Sequence, residues 1–403
     1  MYIPRAIEKV LHEAAREFPA IVLTGPRQSG KTTLLRHVFG KTHQYVSMEL
    51  PEIRAAAAAD PRGFMALYRP PVIIDEVQYA PDLLLYVKEA VDKHRSTSGQ
   101  YVLTGSQNLL LTQSISETLA GRAAVLRLLP LSRREILGEP ARPMPWEARR
   151  RFPRQESDAA NLWPGLLRGG YPEIVVNPSR NISLWYSSYV QTYLERDVRG
   201  LRHVGDLTQF QSFLRILAAR SGQLMNLTDV SRDLGVAVNT VKSWLSVLEA
   251  TYQIMILRPY FANTGKRLVK TPKVYFTDTG LLCSLAGLKD PEHAASGPMA
   301  GAIFETAVVM EFVKVFLGRG EDPQLFFWRT STGVEVDLLI QNQTKLVPIE
   351  IKTTSTPLPP MAAAIRAFHA GLPRKAAPGY VIHAGDLTLP LAPDVTALPF
   401  VEI

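Results

Sequence analysis

Short, wholly apolar runs alternate along this chain with segments whose apolar positions recur every three or four residues. Ile21-Val22-Leu23, Val72-Ile73-Ile74 and Tyr101-Val102-Leu103 are uninterrupted apolar runs closed by polar residues. That is the pattern of strands buried on both faces of a parallel sheet. Residues 6–18 put Ile7, Val10, Leu11 and Ala14 on one helical face, and residues 33–38 continue with helical spacing after the first strand. Residues 45–48 and 123–129 predict further strands, and the alanine-rich residues 53–59 predict a helix. In the middle of the chain, residues 184–194 are helical in spacing, with Trp185, Tyr186, Tyr189 and Tyr193 read as packing residues. Residues 226–250 predict a helix-turn-helix. Thr228 or Asp229 starts the first helix, Gly235-Val236-Ala237 makes the turn, and Val241, Trp244, Leu245 and Leu248 face inward from the second. Two apolar runs between Tyr252 and Phe276, turned at Asn263-Thr264-Gly265, predict a wing. Beyond them come an amphipathic helix over 300–316, a strand over 325–328, period-two strands over 333–340 and 346–352, a short helix over 362–370, and a last core strand over 379–383.

With 403 residues, two or three domains are expected, and 46% hydrophobic residues suffice for their cores. The single cysteine, Cys283, rules out an internal disulfide framework and cannot build a zinc site by itself. Met1-Tyr2-Ile3-Pro4-Arg5 lacks the apolar core of a secretion signal, and no apolar run reaches bilayer-spanning length. The expectation is a cytoplasmic protein with no membrane partner. A net charge of +8 is compatible with a polyanionic partner and equally with scattered surface bases. Residues 138–165 carry five prolines (Pro140, Pro143, Pro145, Pro153, Pro164) and Arg149-Arg150-Arg151, and read as a linker.

Gly25-Pro26-Arg27-Gln28-Ser29-Gly30-Lys31-Thr32 fits G-x-x-x-x-G-K-[ST] at every fixed position, between a strand and a helix. Backbone N–H groups of such a loop face anionic oxygens. Residues 25–33, including Thr33, are therefore the nucleotide-binding candidates, with Lys31 directed at the β- and γ-phosphates and Thr32 at Mg²⁺. Asp75 and Glu76 end an apolar strand, where ligands of parallel sheets sit. Asp75 is expected beside the metal and Glu76 at the attacking water. Ser106 or Gln107, after the next strand, is placed to touch the γ-phosphate or that water. Arg122 admits two readings, an arginine finger for a neighbouring subunit or a charge complementing a helix end.

Asn239, Thr240, Lys242 and Ser243 face outward at the start of the second helix of the helix-turn-helix, where groove contacts occur. Residues 258–276 hold Arg258, Lys266, Arg267, Lys270 and Lys273 and no acid, as phosphate-backbone contact requires. The same module also serves as a protein-contact surface or spacer. Toward the C-terminus, Glu305 on a helix, Asp337 on a strand and Glu350-x-Lys352 on the next resemble the PD-(D/E)XK nuclease pattern. That resemblance implies two metal-holding carboxylates and a lysine that activates water, although the fold also persists without cleavage.

Gly25–Thr32, Asp75-Glu76, Thr104-Gly105-Ser106, Gly121-Arg122, Pro130-Leu131-Ser132, Gly169-Gly170-Tyr171-Pro172-Glu173 and Tyr193-Leu194-Glu195-Arg196-Asp197-Val198 together resemble the prokaryotic AAA-type ATPases that carry a C-terminal domain of unknown function, DUF4143. The resemblance covers nearly the whole chain and implies ATP binding, a multidomain architecture and assembly. The expected fold is multidomain α/β: a P-loop domain with an AAA-type parallel sheet over 1–137, a linker over 138–165, a helical segment with a winged helix-turn-helix over 166–285, and a nuclease-like α/β domain over 286–403. The expected function is an ATP- and Mg²⁺-dependent ATPase, a homo-oligomer whose nucleotide state controls its grip on DNA. Two alternatives are a signalling or regulatory ATPase acting on a protein and an ATP-regulated, metal-dependent nuclease.

Overall fold

The computed structural model describes residues 1–105, 118–147, 161–194, 207–260 and 271–403. The first layer is a wholly parallel five-stranded sheet of β1 (Ala20–Thr24), β2 (Gln44–Ser47), β3 (Val72–Asp75), β4 (Tyr101–Gly105) and β5 (Ala123–Arg127), in the order β2-β3-β4-β1-β5. Every residue of β1, β3 and β4 is buried, because helices cover both faces. The helix Glu8–Glu17 packs Leu11 and Ala14 against one face, and the helix Leu83–Lys93 packs Leu84, Val87 and Val91 against the other. β4 lies between β1 and β3. The C-terminal end of β4, with Thr104 next to last, thus comes between the phosphate loop and the acidic strand end.

The main core of the remainder runs from Leu129 to Ile403, with two smaller clusters in the C-terminal part, one around Ala362, Ile365 and Val381 and one around Val336, Leu339 and Phe368. Its helical part comprises Leu162–Arg168, Pro172–Val176, Ile182–Tyr189, Leu207–Ala219 and the pair Leu227–Leu234 and Val238–Ala250. Trp185, Tyr186 and Tyr189 are packed ring against ring in it together with Tyr171, the packing role read from their helical spacing, and the side chain of Tyr193 lies outside the described residues. In the helix-turn-helix the first helix is capped by Asn226, not by Thr228 or Asp229. Its side chain accepts from both of their N–H groups at 3.0 and 3.4 Å.

The second sheet has eight strands in the order β12-β13-β11-β10-β9-β8-β6-β7. They are β6 (Ile254–Pro259), β7 (Lys273–Phe276), β8 (Leu325–Arg329), β9 (Glu335–Asn342), β10 (Lys345–Lys352), β11 (Gly379–His383), β12 (Leu389–Ala392) and β13 (Val395–Pro399). The two runs expected as a wing, β6 and β7, do pair antiparallel, from Ile254↔Phe276 to Leu257↔Lys273. They do not stand free. β6 also pairs in parallel with β8 through Arg258↔Phe326 and Pro259↔Phe327, so the sheet crosses residues 285/286. The expected turn at 263–265 lies outside the described residues.

Three other expectations are corrected. The helix Ala300–Gly318 is apolar around almost its whole circumference and buried on nearly all sides, because it runs through the shared core. β11 is not the last core strand, since β13 pairs with it in parallel and β12 closes the edge. The described residues of 138–165 are docked, with Met144 buried and Glu147 gripped by Arg319 at 2.7 Å through both oxygens.

Candidate functional site: the phosphate loop and its acidic partners

The loop between β1 and the helix Lys31–Phe39 is shaped by backbone that only small residues tolerate. Gly25 has φ +153°, and a Cβ there would meet the Leu128 carbonyl oxygen at 2.1 Å. Gly30 has φ +92° and lies where a Cβ would reach Pro172 Cγ at 3.5 Å. Lys31 is 5% exposed, and its Nζ donates to the carbonyls of Gly25 (3.1 Å) and Pro26 (2.9 Å). Arg27 is buried and donates to the Tyr79 hydroxyl at 3.2 Å, whereas Gln28 and Thr33 are exposed. Ser29 Oγ is buried with no hydrogen-bond partner among the described residues. Arg5 braces the loop from behind: Nη1 donates to the Ser29 carbonyl at 3.0 Å and Nε to Glu135 at 3.0 Å.

Thr32 Oγ1 donates to Asp75 Oδ2 at 2.8 Å, so the hydroxyl and carboxylate expected to share a metal are already neighbours. Tyr45 donates to the same oxygen at 2.7 Å, with the Arg36 guanidinium over its ring. Burial raises the Tyr45 pKa, followed by its bond to Asp75, which keeps it a donor. Thr104, the penultimate residue of β4, donates to Asp75 Oδ1 and accepts the Glu76 N–H at 3.0 Å. A single hydroxyl therefore orients both acidic residues. Thr104 was legible only as part of a family motif, since its role needs β4 inserted between β1 and β3. Glu76 sits at φ +55°, buried, with its carboxylate accepting from Gln78. A buried lysine held along the loop, a hydroxyl beside a carboxylate, a second held carboxylate and the unpartnered Ser29 hydroxyl fit a magnesium–triphosphate, with Thr32 and Asp75 as the metal's neighbours. Ser106 and Gln107 lie outside the described residues.

Arg122 lies at the other end of the sheet. Its carbonyl accepts from Ala20, the first residue of β1, and its guanidinium is paired with Asp92 at 2.6 and 3.1 Å. Five strand residues, about 16 Å, separate that position from its own phosphate loop.

Glu305, Asp337, Glu350 and Lys352 lie near one another. Lys352 Nζ donates to Glu350 at 2.6 Å and lies 3.9 Å from Asp337. The cluster has members the sequence did not reveal. Lys273, expected on a basic DNA-facing wing, is 4% exposed and bridges Glu305 (3.0 Å) and Glu335 (2.6 Å), while Tyr275 donates to Glu305 at 2.6 Å. Strand pairing of β7 turns Lys273 inward. Burial, then Glu350 and Glu305, push the Asp337 carboxyl up to about 8. Burial lowers Lys273, but the surrounding carboxylates more than offset it and hold the ammonium charged. Among the described residues no three acids or histidines are arranged to hold a metal ion. The Lys273 ammonium lies between Glu305 and Glu335.

Asn239 and Lys242 are exposed at the start of the helix Val238–Ala250, and Thr240 and Ser243 are half-buried beside them. Lys266, Arg267 and Lys270 lie outside the described residues. No helix among the described residues is long and apolar enough to cross a membrane.

Family profiles match in three consecutive stretches: an AAA domain over residues 17–137, a domain of unknown function (DUF8612) over 160–292, and a domain of unknown function (DUF4143) over 300–403. The uncharacterised protein Rv2008c of Mycobacterium tuberculosis is 31% identical over 399 residues, covering 98% of this chain and 82% of that protein. An uncharacterised protein of Haemophilus influenzae is 24% identical, covering 68% of this chain and 70% of its own. Among solved structures, the Walker-type ATPase PABY2304 of Pyrococcus abyssi is similar at 17% identity and a TM-score of 0.44, covering 69% of this chain and 94% of that one. With its strand–loop–helix site, its parallel sheet and a relative matching along nearly its whole length, the chain belongs to the AAA-type P-loop ATPases that carry a C-terminal DUF4143 domain.

Proposed function

We propose that this chain is an ATP-hydrolysing, DNA-associated ATPase in which nucleotide state controls how the helix-turn-helix and C-terminal sheet engage DNA. The observation that carries the ATPase part is the Thr32–Asp75–Thr104–Glu76 hydrogen-bonded set beside Lys31. In the bound state Lys31 would leave the loop carbonyls for the β- and γ-phosphate oxygens. Glu76 accepts the proton of the attacking water, and Thr104 keeps its backbone and Asp75 in register. Magnesium, when bound, supplies neutralisation of the charge that builds on the phosphate oxygens. Because Arg122 stands about a strand length from its own loop, a finger role would be served across a subunit boundary in a homo-oligomer.

The DNA part is supported by the exposed Asn239 and Lys242 with Thr240 beside them. Burial of Lys273 removes one base from that surface and favours the regulatory ATPase, acting on a protein partner, as the second reading. The nuclease alternative would draw on Asp337, Glu350 and Lys352, with Lys273 held by Glu305 and Glu335 beside them. The test is ATP turnover together with gel shifts on single-stranded, duplex and branched DNA, with and without ATP. We expect turnover that Lys31→Ala abolishes, and DNA binding that weakens steeply as salt is raised. Undiminished turnover in Lys31→Ala would remove the nucleotide assignment. Absent or salt-independent DNA binding would move the reading to a protein partner.

A further inference from the structure

The phosphate loop meets the second half of the chain at both of its ends, at Tyr252 just after the helix-turn-helix and at Pro172. Thr24, directly before Gly25, has its Oγ1 2.7 Å from the Tyr252 hydroxyl, and both side chains are buried. Thr24 spends its own hydrogen on the Leu126 carbonyl at 3.2 Å, which makes Tyr252 the donor. Tyr252 follows the second helix, Val238–Ala250, by two residues. Its φ is +59°, a left-handed conformation that a large side chain seldom adopts. The strain is held in place by two bonds: the Tyr252 N–H donates to Glu249 O at 3.1 Å, and Thr277 Oγ1 donates to Tyr252 O at 2.7 Å. The next residue carries the connection onward. Gln253 Nε2 donates to the Tyr189 hydroxyl at 3.0 Å, and Tyr171 donates to that same hydroxyl at 2.9 Å. Tyr171 precedes Pro172, the residue against Gly30 at the far end of the loop. The C-terminal end of Val238–Ala250 is thus tied by buried hydrogen bonds to the residue before the loop, and through Tyr171 to the proline against its last glycine.

We propose that Tyr252 is a positioning residue of the phosphate loop, contributed by the helix-turn-helix, and that occupancy of the loop is coupled through it to the second helix. The proposal rests on the nucleotide-binding reading above and adds the route by which that state leaves the first domain. Buried networks of this kind change as a unit, because moving one member leaves its neighbours unpartnered. Strain at a non-glycine residue in the left-handed region persists where the surroundings hold it, and such residues gather at switch positions. A ligand that draws the loop toward its phosphates shifts Thr24 and Gly30 together, and both displacements converge on residues 252–253.

The test combines nucleotide binding with hydrogen exchange on the full chain. A fluorescent ATP analogue reads affinity, and exchange with and without a non-hydrolysable analogue reads residues 238–250. In the wild type, nucleotide should slow exchange in that helix. Tyr252→Phe keeps the ring and its packing, so it should bind nucleotide about fivefold or more weakly and lose the exchange response of 238–250. Thr24→Val removes the acceptor from the other side and should act alike, with the double variant no worse than either single one. A merely structural tyrosine would lower the unfolding midpoint but leave the nucleotide-dependent exchange intact, and that result overturns the proposal. So does a wild type that binds nucleotide with no change in 238–250. A wild type that binds no nucleotide sinks the ATPase reading itself, which the affinity measurement reports separately.

Discussion

Asp75 accepts three hydroxyl hydrogens, from Thr32, Tyr45 and Thr104, and Thr104 also receives the Glu76 N–H. Glu76 is therefore fixed through its backbone, and only its carboxyl chemistry changes in Glu76→Gln. That variant should bind ATP with near wild-type affinity and hydrolyse it about 10²–10⁴-fold more slowly, as a steady-state assay beside equilibrium binding would read. Rapid turnover would reassign the base. At the acidic cluster, Asp337 holds its proton to about pH 8 in the folded chain, chiefly because it is buried beside Glu350. An unfolded aspartate loses its proton near about pH 4. The folded state then binds more protons between these values, so this group's contribution to stability falls as pH rises through that window. The slope is at most about 1.4 kcal/mol per pH unit. Asp337→Asn removes that exchange and should flatten the urea midpoint between about pH 5 and 8. An unchanged slope would place the shared proton on another carboxyl.

At the scale of elements, the helix Leu227–Leu234 is only two turns long and depends on its ends. Asn226 supplies two of its first hydrogen bonds and Gly235, at φ +66°, closes it. Asn226→Ala should cost about 1 kcal/mol in denaturant melts and loosen the turn that aims the following helix. The β6–β7 pair shows how a neighbouring element changes a segment's role. As a free wing it would carry Lys273 to solvent. Paired with β8 it becomes one end of an eight-stranded sheet, and Lys273 is turned onto Glu305 and Glu335.

Across the whole molecule, the first domain is fastened to the rest by a buried clamp. Arg5 pairs with Glu135 at 3.0 Å and bonds the carbonyls of Ser29 and Leu129. Glu135 in turn caps the short helix Arg133–Ile136, whose first N–H groups are received by Glu311 of the long core helix. Burial raises the Glu135 pKa, but Arg5 together with the N–H groups of Ser132 and Ala6 more than reverses it, so the carboxylate stays charged. Arg5→Ala leaves that charge buried and unpaired, at a cost of about 3–5 kcal/mol in unfolding free energy. It should also weaken nucleotide binding, because Ser29 loses its brace. A variant as stable as the wild type would show that the clamp is incidental.

What the sequence determined by itself is what depends on near neighbours. The strand-loop-helix spacing of residues 21–38, the acidic strand end at Asp75-Glu76 and the two helices after Asn226 each follow from contiguous residue types, because backbone geometry and local burial decide them. The tertiary structure alone decided which groups meet across the chain. Thr104 reaches Asp75 because β4 is inserted between β1 and β3. Arg122 is kept from its own loop by the direction of β5, and Lys273 is drawn inward by the pairing of β6 with β8. These outcomes turn on the order and register of strands, which a one-dimensional pattern of apolar and polar positions does not encode.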